Sequence, residues 1–433
     1  MHKSASKKKP KLRVDPLTKG HVVFISRQRI VGRTNGSSAY LLDLAQAARD
    51  AGFTPHLIQP SPDIMGRWPV MRLLPDMTTF ESHVIRGVLR GGQWILSCDP
   101  SVYLDAFRGA VSHIARRLGL KSTFWADRPR PYSIAAPWTQ ADHWFVAKHH
   151  ETADLVVADY AFQAEALRHF SARPTAIIMH DLFHRRRPYA QGRDSVASID
   201  QNAEVELLAR AHALIAIQSD EAQFVVQHIP HAQTILAPIA VRSVESAQPG
   251  NANRLLFVGS NTAPNVVGLE WFFEHVWPLL KAEAPHLRLD IAGSVAKSFS
   301  SRPPTDVVFH GLVPDLAPLY SDAGIVVSPL TFGSGLKIKL IEALAHGKAV
   351  VATGVTLQGV EQQCGTAVMQ ADDPVRFAEC ILILLDDDRR LRLAQAALET
   401  AERCFSPQAS HAQFVRWLDD NRPDRLGAGR QSA

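Results

Sequence analysis

The densest run of residues able to do chemistry lies between Pro329 and Gly347: Pro-Leu-Thr-Phe-Gly-Ser-Gly-Leu-Lys-Ile-Lys-Leu-Ile-Glu-Ala-Leu-Ala-His-Gly. Gly333 and Gly335 permit a concave run of backbone N–H groups at a helix start, and Gly347 suits the left-handed residue that closes a helix. Leu336, Leu340, Ala343 and Leu344 share an apolar face, while Lys339, Glu342 and His346 recur at intervals of three and four on another. A helix start offers unpaired N–H groups and partial positive charge to phosphate oxygens. On that reading Lys337 or Lys339 supplies charge to a diphosphate, and Glu342 accepts ribose hydroxyls. At an effective dielectric of about 20, a Lys–phosphate contact at ~4 Å contributes ~4 kcal/mol. The same spacing also describes a solvated helix face with an i,i+3 ion pair, which contributes only about 0.2–0.5 kcal/mol.

Two further strand-to-turn junctions have the same character. In Val258-Gly-Ser-Asn-Thr262, Gly259 would let a ligand approach the backbone and Pro264 suits a first helical turn; a tight βα turn explains both equally. In His310-Gly-Leu-Val-Pro-Asp315 the freed backbone groups of a strand end could pair with a base, or simply turn the chain. His180 and His184 have i,i+4 spacing, but a metal site there needs helical geometry and further ligands, so none is expected. Asp386-Asp-Asp388 reads as a turn between helices rather than a metal–diphosphate clamp. Arg185-Arg-Arg187 could meet acceptor phosphates or an anionic membrane face, or be a solvated loop.

These junctions need strands and helices to hold them. His21 to Ser26 reads as a buried strand, Thr34-Asn-Gly-Ser-Ser38 leads into a helix with Leu41, Leu42, Leu44, Ala45 and Ala48 on one stripe, and Gly52 ends it before a strand at Pro55 to Ile58. Apolar runs at Trp94 to Cys98, Ser122 to Ala126, Leu155 to Ala158, Ala176 to Met179 and Ala213 to Ile217, with helical stretches such as Ala203 to Ala211 between them, suit a parallel sheet covered on both faces. The stretch Ile64 to Gly92 has no assignable pattern. A polar, turn-rich break at Val241 to Asn253 reads as a linker. The rhythm then restarts, with strands at Leu255 to Val258, Leu287 to Ala292, Val307 to His310, Ile325 to Ser328 and Ala349 to Ala352. Helices are expected at Val266 to Lys281, Leu316 to Ser321 and Leu336 to His346, and then at Pro374 to Leu385, Arg389 to Arg403 and Gln408 to Asp419. The expected class is α/β, two doubly wound domains facing a cleft, with ligands beyond the carboxyl ends of the strands.

The 433 residues carry 47 Lys and Arg against 42 Asp and Glu, a formal charge of +5. That excess does not describe the body: Lys3, Lys7, Lys8, Lys9, Lys11 and Arg13 against Asp15 place all of it in the first fifteen residues. No body-wide basic field exists to track nucleic acid, which is excluded as a partner. With 46% hydrophobic and 21% charged residues the composition is that of an ordinary globular protein. No run of about 18 apolar residues and no signal-peptide core is present, so a cytoplasmic protein is expected. The four cysteines, Cys98, Cys364, Cys380 and Cys404, form no Cys-x-x-Cys pair and read as reduced packing residues. The basic tail could touch anionic lipid, adding roughly 1 kcal/mol per charge, or remain a solubilising end. The expected division is a disordered basic tail at 1–20, domains at 21–240 and 254–405 joined by a linker at 241–253, a helix at 406–421 that could pack back on the N-terminal domain, and a disordered tail at 422–433.

On these motifs the chain resembles the retaining GT-B glycosyltransferases, family 4-like. Leu255 to Gly293 resembles that family's first C-domain strand, loop, helix and second strand; Phe309-His-Gly-Leu-Val-Pro-Asp-Leu-Ala-Pro-Leu-Tyr320 its nucleotide-base loop; and Gly333 to Val351 its donor helix, with the ending Glu-Ala-x-Ala-x-Gly-x-x-Val-Val. In the first half, Asn35-Gly36 before a helix, His180-Asp181 after a strand and Glu206 to Ser219 are looser matches. The resemblance implies two Rossmann-like domains and a nucleotide-diphosphate sugar as donor substrate, without other cofactor or metal. It further implies a glycan, lipid-linked or small-molecule acceptor; oligomeric state is left open. It assigns ribose binding to Glu342, the base frame to Gly311 and Val313, and diphosphate and sugar contacts to Gly259, Ser260, Ser334, Gly335, Leu336, Lys337 and Lys339. His180 would touch the transferred sugar, and Asn35 and Gly36 would lie on the acceptor side.

The implied mechanism retains configuration through a short-lived oxocarbenium-like state, with the leaving diphosphate oxygen assisting the acceptor hydroxyl and donors placed at the departing phosphate. The chain departs from the family at two places: Ser334 stands where a carboxylate is usual, and Ser260 and Asn265 align with a usual Arg and Lys. These departures keep two alternatives open, a GT-B-like protein that binds a nucleotide sugar or glycan without turnover, and a nucleotide-sugar epimerase of similar architecture.

Overall fold

The computed structural model describes residues 18–66, 68–118, 134–149, 153–186, 199–299, 304–333 and 336–423. The chain divides into two compact units. One contains the described residues up to Ile178, Phe183–Ala213 and those from Val415; the other contains Met179–Leu182 and Leu214–Phe414. The second unit thus begins ahead of the polar break at 241–253, and Asn251 already opens a strand, Asn251–Val258.

A seven-stranded sheet has the order Gln233–Leu236, Ala213–Ala216, Thr175–Ile178, Leu155–Asp159, His21–Ile25, Thr54–Gln59, Ser82–Ile85. His21–Ile25 pairs in parallel with Thr54–Gln59 on one side and Leu155–Asp159 on the other, in register Ile25 to Ile58 and to Ala158. Val22, Val23, Phe24 and Ile25 are all buried because both faces of this strand are covered, which is why its sequence is continuously apolar rather than alternating. The helix Gly36–Asp50 follows it. Asn35 caps that helix by accepting from the Ser38 backbone N–H at 2.8 Å, while the Ser38 hydroxyl accepts from the Asn35 N–H at 3.0 Å. Its expected stripe, Leu41, Leu42, Leu44, Ala45 and Ala48, is buried.

The sequence-based placement of Trp94 to Cys98 in the parallel sheet is corrected. Trp94–Ser97 pairs antiparallel with both Val70–Arg72 and Val88–Gly91 in a separate three-stranded sheet. Ile95 and Ser97 are buried while Trp94 and Leu96 are 46% and 36% exposed, the alternation of a strand with one covered face; four consecutive non-charged residues had concealed it. The unassigned stretch 64–92 supplies the partners of that sheet and the parallel edge strand Ser82–Ile85. The expected strand at Ser122 to Ala126 lies outside the described residues.

The second sheet is six-stranded, in the order Val307–Gly311, Arg288–Ala292, Asn251–Val258, Ala323–Ser328, Ala349–Ala352, Met369–Gln370, and its pairings are parallel. Successive residues divide between its faces. Leu255, Phe257, Ile325, Val327 and Val351 pack with Leu269, Phe272, Leu280, Phe377 and Ile381, while Leu256, Val326 and Val350 pack with Leu340, Ile341, Leu344 and Ala397. Each such side chain contributes roughly 1.5–3 kcal/mol by burial, so the two layers of helices are held independently by alternate residues of the same strands. Asp386-Asp-Asp388 has a structural use: Asp386 caps the helix Asp387–Thr400 by accepting from the Arg389 N–H at 2.9 Å, and Asp387 and Asp388 lie in the first turn, where acids are favoured. The helix expected over Gln408 to Asp419 is broken at His411 into Pro407–Ser410 and Ala412–Asp420. Among the described residues no helix is long and apolar enough to cross a membrane.

Candidate active site

In the second unit three strand ends are locked to one another by backbone. The Gly259 N–H donates to the Ala292 carbonyl at 3.0 Å, the Gly293 N–H to the Gly311 carbonyl at 2.7 Å, and the Val295 N–H to the Gly259 carbonyl at 3.3 Å. Gly293 has φ +106°, and a Cβ there would lie 2.1 Å from the Gly259 oxygen, so only glycine fits. A Cβ on Gly259 would come 2.6 Å from the Phe257 ring, so packing by itself explains that glycine. Gly311, at φ +65°, has open space where its Cβ would stand, and Val313 beyond it is half-buried. The Ser260 turn closes on itself: its carbonyl accepts from the Thr262 N–H at 2.8 Å and from the Asn265 amide at 2.9 Å, and that amide also reaches the Thr262 hydroxyl at 3.1 Å.

The Pro329–Gly347 segment packs tightly on the helix Ala263–Trp271. Gly268 faces the Pro329 carbonyl, which a Cβ would approach to 2.7 Å, and Gly333, at φ +137°, faces Pro264. Ser334 and Gly335 lie outside the described residues. Leu336 and Lys337 precede the helix Ile338–Ala345. The Lys337 ammonium is half-buried, and that burial lowers its pKa, with the Asp181 carboxylate working in the opposite direction. The Cε of Lys337 is 3.8 Å from the position of a Gly333 Cβ, so Lys337 and the glycine turn are brought together. Lys339 and Glu342 form an i,i+3 ion pair at 2.6 Å, both partly exposed. The two site residues singled out from spacing therefore face each other, as the plain helix-surface reading also requires.

Around Glu342 the structure adds a group that periodicity did not reveal. Tyr320 stacks on His346 with ring centroids 4.3 Å apart and planes 10° from parallel. Burial raises the Tyr320 phenol pKa, the Glu342 charge adding to it, and burial lowers that of His346 against the pull of Glu342 and Asp315. The Tyr320 hydroxyl is buried with no hydrogen-bond partner among the described residues. Gly347, at φ +57°, closes the helix with its N–H on the Leu344 carbonyl at 2.9 Å, and a Cβ there would meet Ala247 at 2.8 Å. Lys348, also missed, is buried; its ammonium donates to the Gln248 carbonyl at 2.9 Å and the Ala323 carbonyl at 3.1 Å, and burial brings its pKa down to about 8.

His180 follows the strand Thr175–Ile178 with φ +62°, an uncommon conformation for a residue with a Cβ. Its neighbour Asp181 acts electrostatically on Lys337 and on Glu221, a carboxyl that burial pushes up to about 8 while it accepts from the Ile217 N–H at 2.7 Å. The Nδ1 of His184 is 2.6 Å from Glu204, which also accepts from the Phe183 and His184 N–H groups at 2.8 and 3.0 Å. The chain at Phe183–Arg186 is a 3-10 turn rather than an α-helix. Arg187 lies outside the described residues. Among the described residues no three His, Cys, Asp or Glu side chains are gathered so as to hold a metal ion. In the first unit, Asn35 and Gly36 stand at the start of the helix Gly36–Asp50, and Asn35 lines a cavity of about 1000 Å³.

Residues 252–387 match the family model described as Glycosyl transferases group 1. Over 139 residues the chain is 28% identical to an "Uncharacterized 44.6 kDa protein in cps region" of Klebsiella pneumoniae; the match covers 30% of this chain and 36%, about a third, of that protein. Among solved structures, sucrose-phosphate synthase from Thermosynechococcus elongatus superposes with a TM-score of 0.59 at 17% identity, over 95% of this chain and 100% of that one. TarM superposes with a TM-score of 0.59 at 11% identity, over 94% and 99%. HepE of Anabaena in complex with UDP superposes with a TM-score of 0.56 at 14% identity, over 92% and 99%. The chain therefore has the GT-B fold, with two Rossmann-like domains, and the similarity to glycosyl transferases group 1 is confined to residues 252–387.

Proposed function

We propose that this protein is a glycosyltransferase that moves a sugar from a nucleotide-diphosphate donor to a glycan, lipid-linked or small-molecule acceptor with retention of configuration. The observation that carries the proposal is the Lys339–Glu342 pair at 2.6 Å on the helix that follows the Gly333 turn, with half-buried Lys337 beside that glycine. A carboxylate and two ammonium groups at one helix start match the opposite needs of ribose hydroxyls and a diphosphate. In this reading Glu342 accepts from the ribose, exchanging its lysine partner for hydroxyls, and Lys339 turns to the diphosphate. Lys337 and the amides of Ser334, Gly335 and Leu336 complete the phosphate site. The interlocked ends at Gly259, Ser260, Gly311 and Val313 frame the base and the diphosphate, and His180 meets the transferred sugar. Asn35 and Gly36 belong to the acceptor side. The reading is supported by the match of residues 252–387 and by HepE, solved in complex with UDP and with UDP-glucose. A hexosyl donor, a role in polysaccharide synthesis and a cytoplasmic site at the inner membrane face belong to the same proposal.

The test is calorimetric titration of the full chain and its Glu342→Ala and Lys339→Ala variants with UDP and a panel of nucleotide sugars. Each substitution should weaken binding about tenfold, equivalent to ~1.4 kcal/mol. Unchanged affinity in both would refute the site assignment. A second reading, binding without turnover, is favoured by the Ser260–Asn265 bond at 2.9 Å, because neither residue supplies the cation that the family resemblance expects there. Nucleotide release in the presence of an acceptor panel separates the two.

A further inference from the structure

The described residues that line the cavity of about 1000 Å³ belong to the first unit and include Arg29, Asn35, Asp63, Trp68, Arg72 and Asp99. Its size is that of a site for a ring-sized or larger ligand. Arg29 gives it chemical character. Its Nε donates to the Ile64 carbonyl at 2.6 Å and its Nη2 to the Met65 carbonyl at 3.4 Å, which fixes the plane of the guanidinium and, among the described residues, leaves Nη1 uncommitted. Gly66 makes room for it, since a Cβ there would stand 2.4 Å from Nη2. Among the described residues no carboxylate compensates this charge: burial is the one influence on its pKa, which it lowers.

The other charged groups of the wall are engaged. Asp99 accepts from the Ser101 N–H at 2.9 Å and hydroxyl at 2.8 Å, Asp63 accepts from the Ser61 hydroxyl at 3.0 Å and acts on Arg27, and Arg72 donates to Gln93 at 3.2 Å. Trp68 lines the same cavity and is 62% exposed, so its indole is accessible to a ligand. A planar guanidinium held by carbonyls on two of its nitrogens pairs with carboxylate or phosphate oxygens, and an indole face suits the C–H face of a sugar ring.

We propose that this cavity binds a sugar bearing an anionic group, carboxylate or phosphate, with Arg29 on the anion and Trp68 against the ring. Resting on the transferase reading, this anionic sugar is the acceptor.

The experiment titrates the full chain with glucuronic acid, glucose 6-phosphate and glucose, at low salt and at about 0.5 M NaCl, where the Debye length falls to only a few ångströms. The anionic probes should bind at least about tenfold more tightly than glucose, and the stronger of the two identifies the anion. Arg29→Gln should reduce both to the level of glucose, Arg29→Lys should retain part of the preference, and Trp68→Ala should weaken all three probes alike. Equal binding of glucose, absence of binding by any probe, or a preference that survives Arg29→Gln overturns the proposal. Should Arg29→Gln fail to fold, the wild-type protein decides: a preference undiminished by salt overturns it. Titration with UDP in parallel separates this inference from the donor reading. Nucleotide binding without an anion preference refutes only the cavity assignment; an anion preference without binding of UDP or of any nucleotide sugar of the panel refutes the transferase reading and leaves an anionic-sugar site.

Discussion

Replacing Gly293 by alanine tests whether the turn at Gly259 is built by backbone interlock, and Gly311→Ala supplies the internal control. At Gly293 the new Cβ would stand 2.1 Å from the Gly259 oxygen and 2.9 Å from its carbonyl carbon, and neither atom belongs to a side chain that could rotate away. Gly259 is itself tied to the Ala292 carbonyl at 3.0 Å and to the Val295 N–H at 3.3 Å, so relief requires two strand ends to part. A left-handed φ of +106° adds a conformational cost of roughly 1–3 kcal/mol. Forced packing adds about 1–3 kcal/mol, for a total of ~2–6 kcal/mol. Gly311 shares the positive φ, at +65°, but meets nothing within 4 Å, so its substitution should cost only ~1–2 kcal/mol. In thermal melts the unit carrying Gly293 should unfold roughly 5–15 °C lower in Gly293→Ala and less than about 5 °C lower in Gly311→Ala. UDP binding should weaken in the first variant at temperatures where it remains folded. Equal losses for the two variants would show that the Gly259–Gly293 approach is not what the glycine serves.

Three other perturbations follow from named groups. The Glu221 carboxyl is raised from 4.5 to about 8 in the folded protein, so the native state keeps a proton that the unfolded chain releases, and this stability is lost as pH rises from about 4.5 to about 8. Glu221→Gln should remove that decline, melting progressively higher than wild type between pH 5 and pH 9; parallel pH profiles would contradict it. Asn35→Ala removes the cap of the helix Gly36–Asp50 and should cost about 1 kcal/mol in denaturant unfolding while leaving nucleotide affinity unchanged. Tyr320→Phe deletes a buried hydroxyl without a partner while keeping the stack on His346, and should leave stability equal or raise it by up to ~1 kcal/mol; a clear loss would reveal an unseen acceptor.

Much of the second unit was legible because parallel strands covered on both faces must be continuously apolar. Leu287 to Ala292 and Ala349 to Ala352 could therefore be placed to within a residue, whereas the strand ending at Val258 starts four residues ahead of Leu255, at Asn251, where its sequence is polar. One helix end with local chemistry was equally readable, Gly347 as a left-handed closure, whereas the cap made by Asn35 emerged only from the structure. Trp94–Ser97 was misplaced because a single short strand does not encode its partners; only the neighbours at 70–72 and 88–91 make it antiparallel.

Residue type and spacing by themselves determined the βα rhythm, the polar break ahead of the second half, the confinement of excess positive charge to the first fifteen residues, and the grouping of Lys337, Lys339 and Glu342 at one helix start, which a solvated helix face explains as well. These are properties of neighbours along the chain, where period, cap and charge act over a few residues. Tertiary structure decided the rest. It paired Gly293 with Gly259 across two strands, set Tyr320 on His346, made Lys348 a buried donor to carbonyls at 248 and 323, and fixed Arg29 in a cavity wall by the carbonyls of Ile64 and Met65. Each depends on a contact between segments far apart in sequence, and the energy of such a contact is set by distance and burial, which no local pattern records.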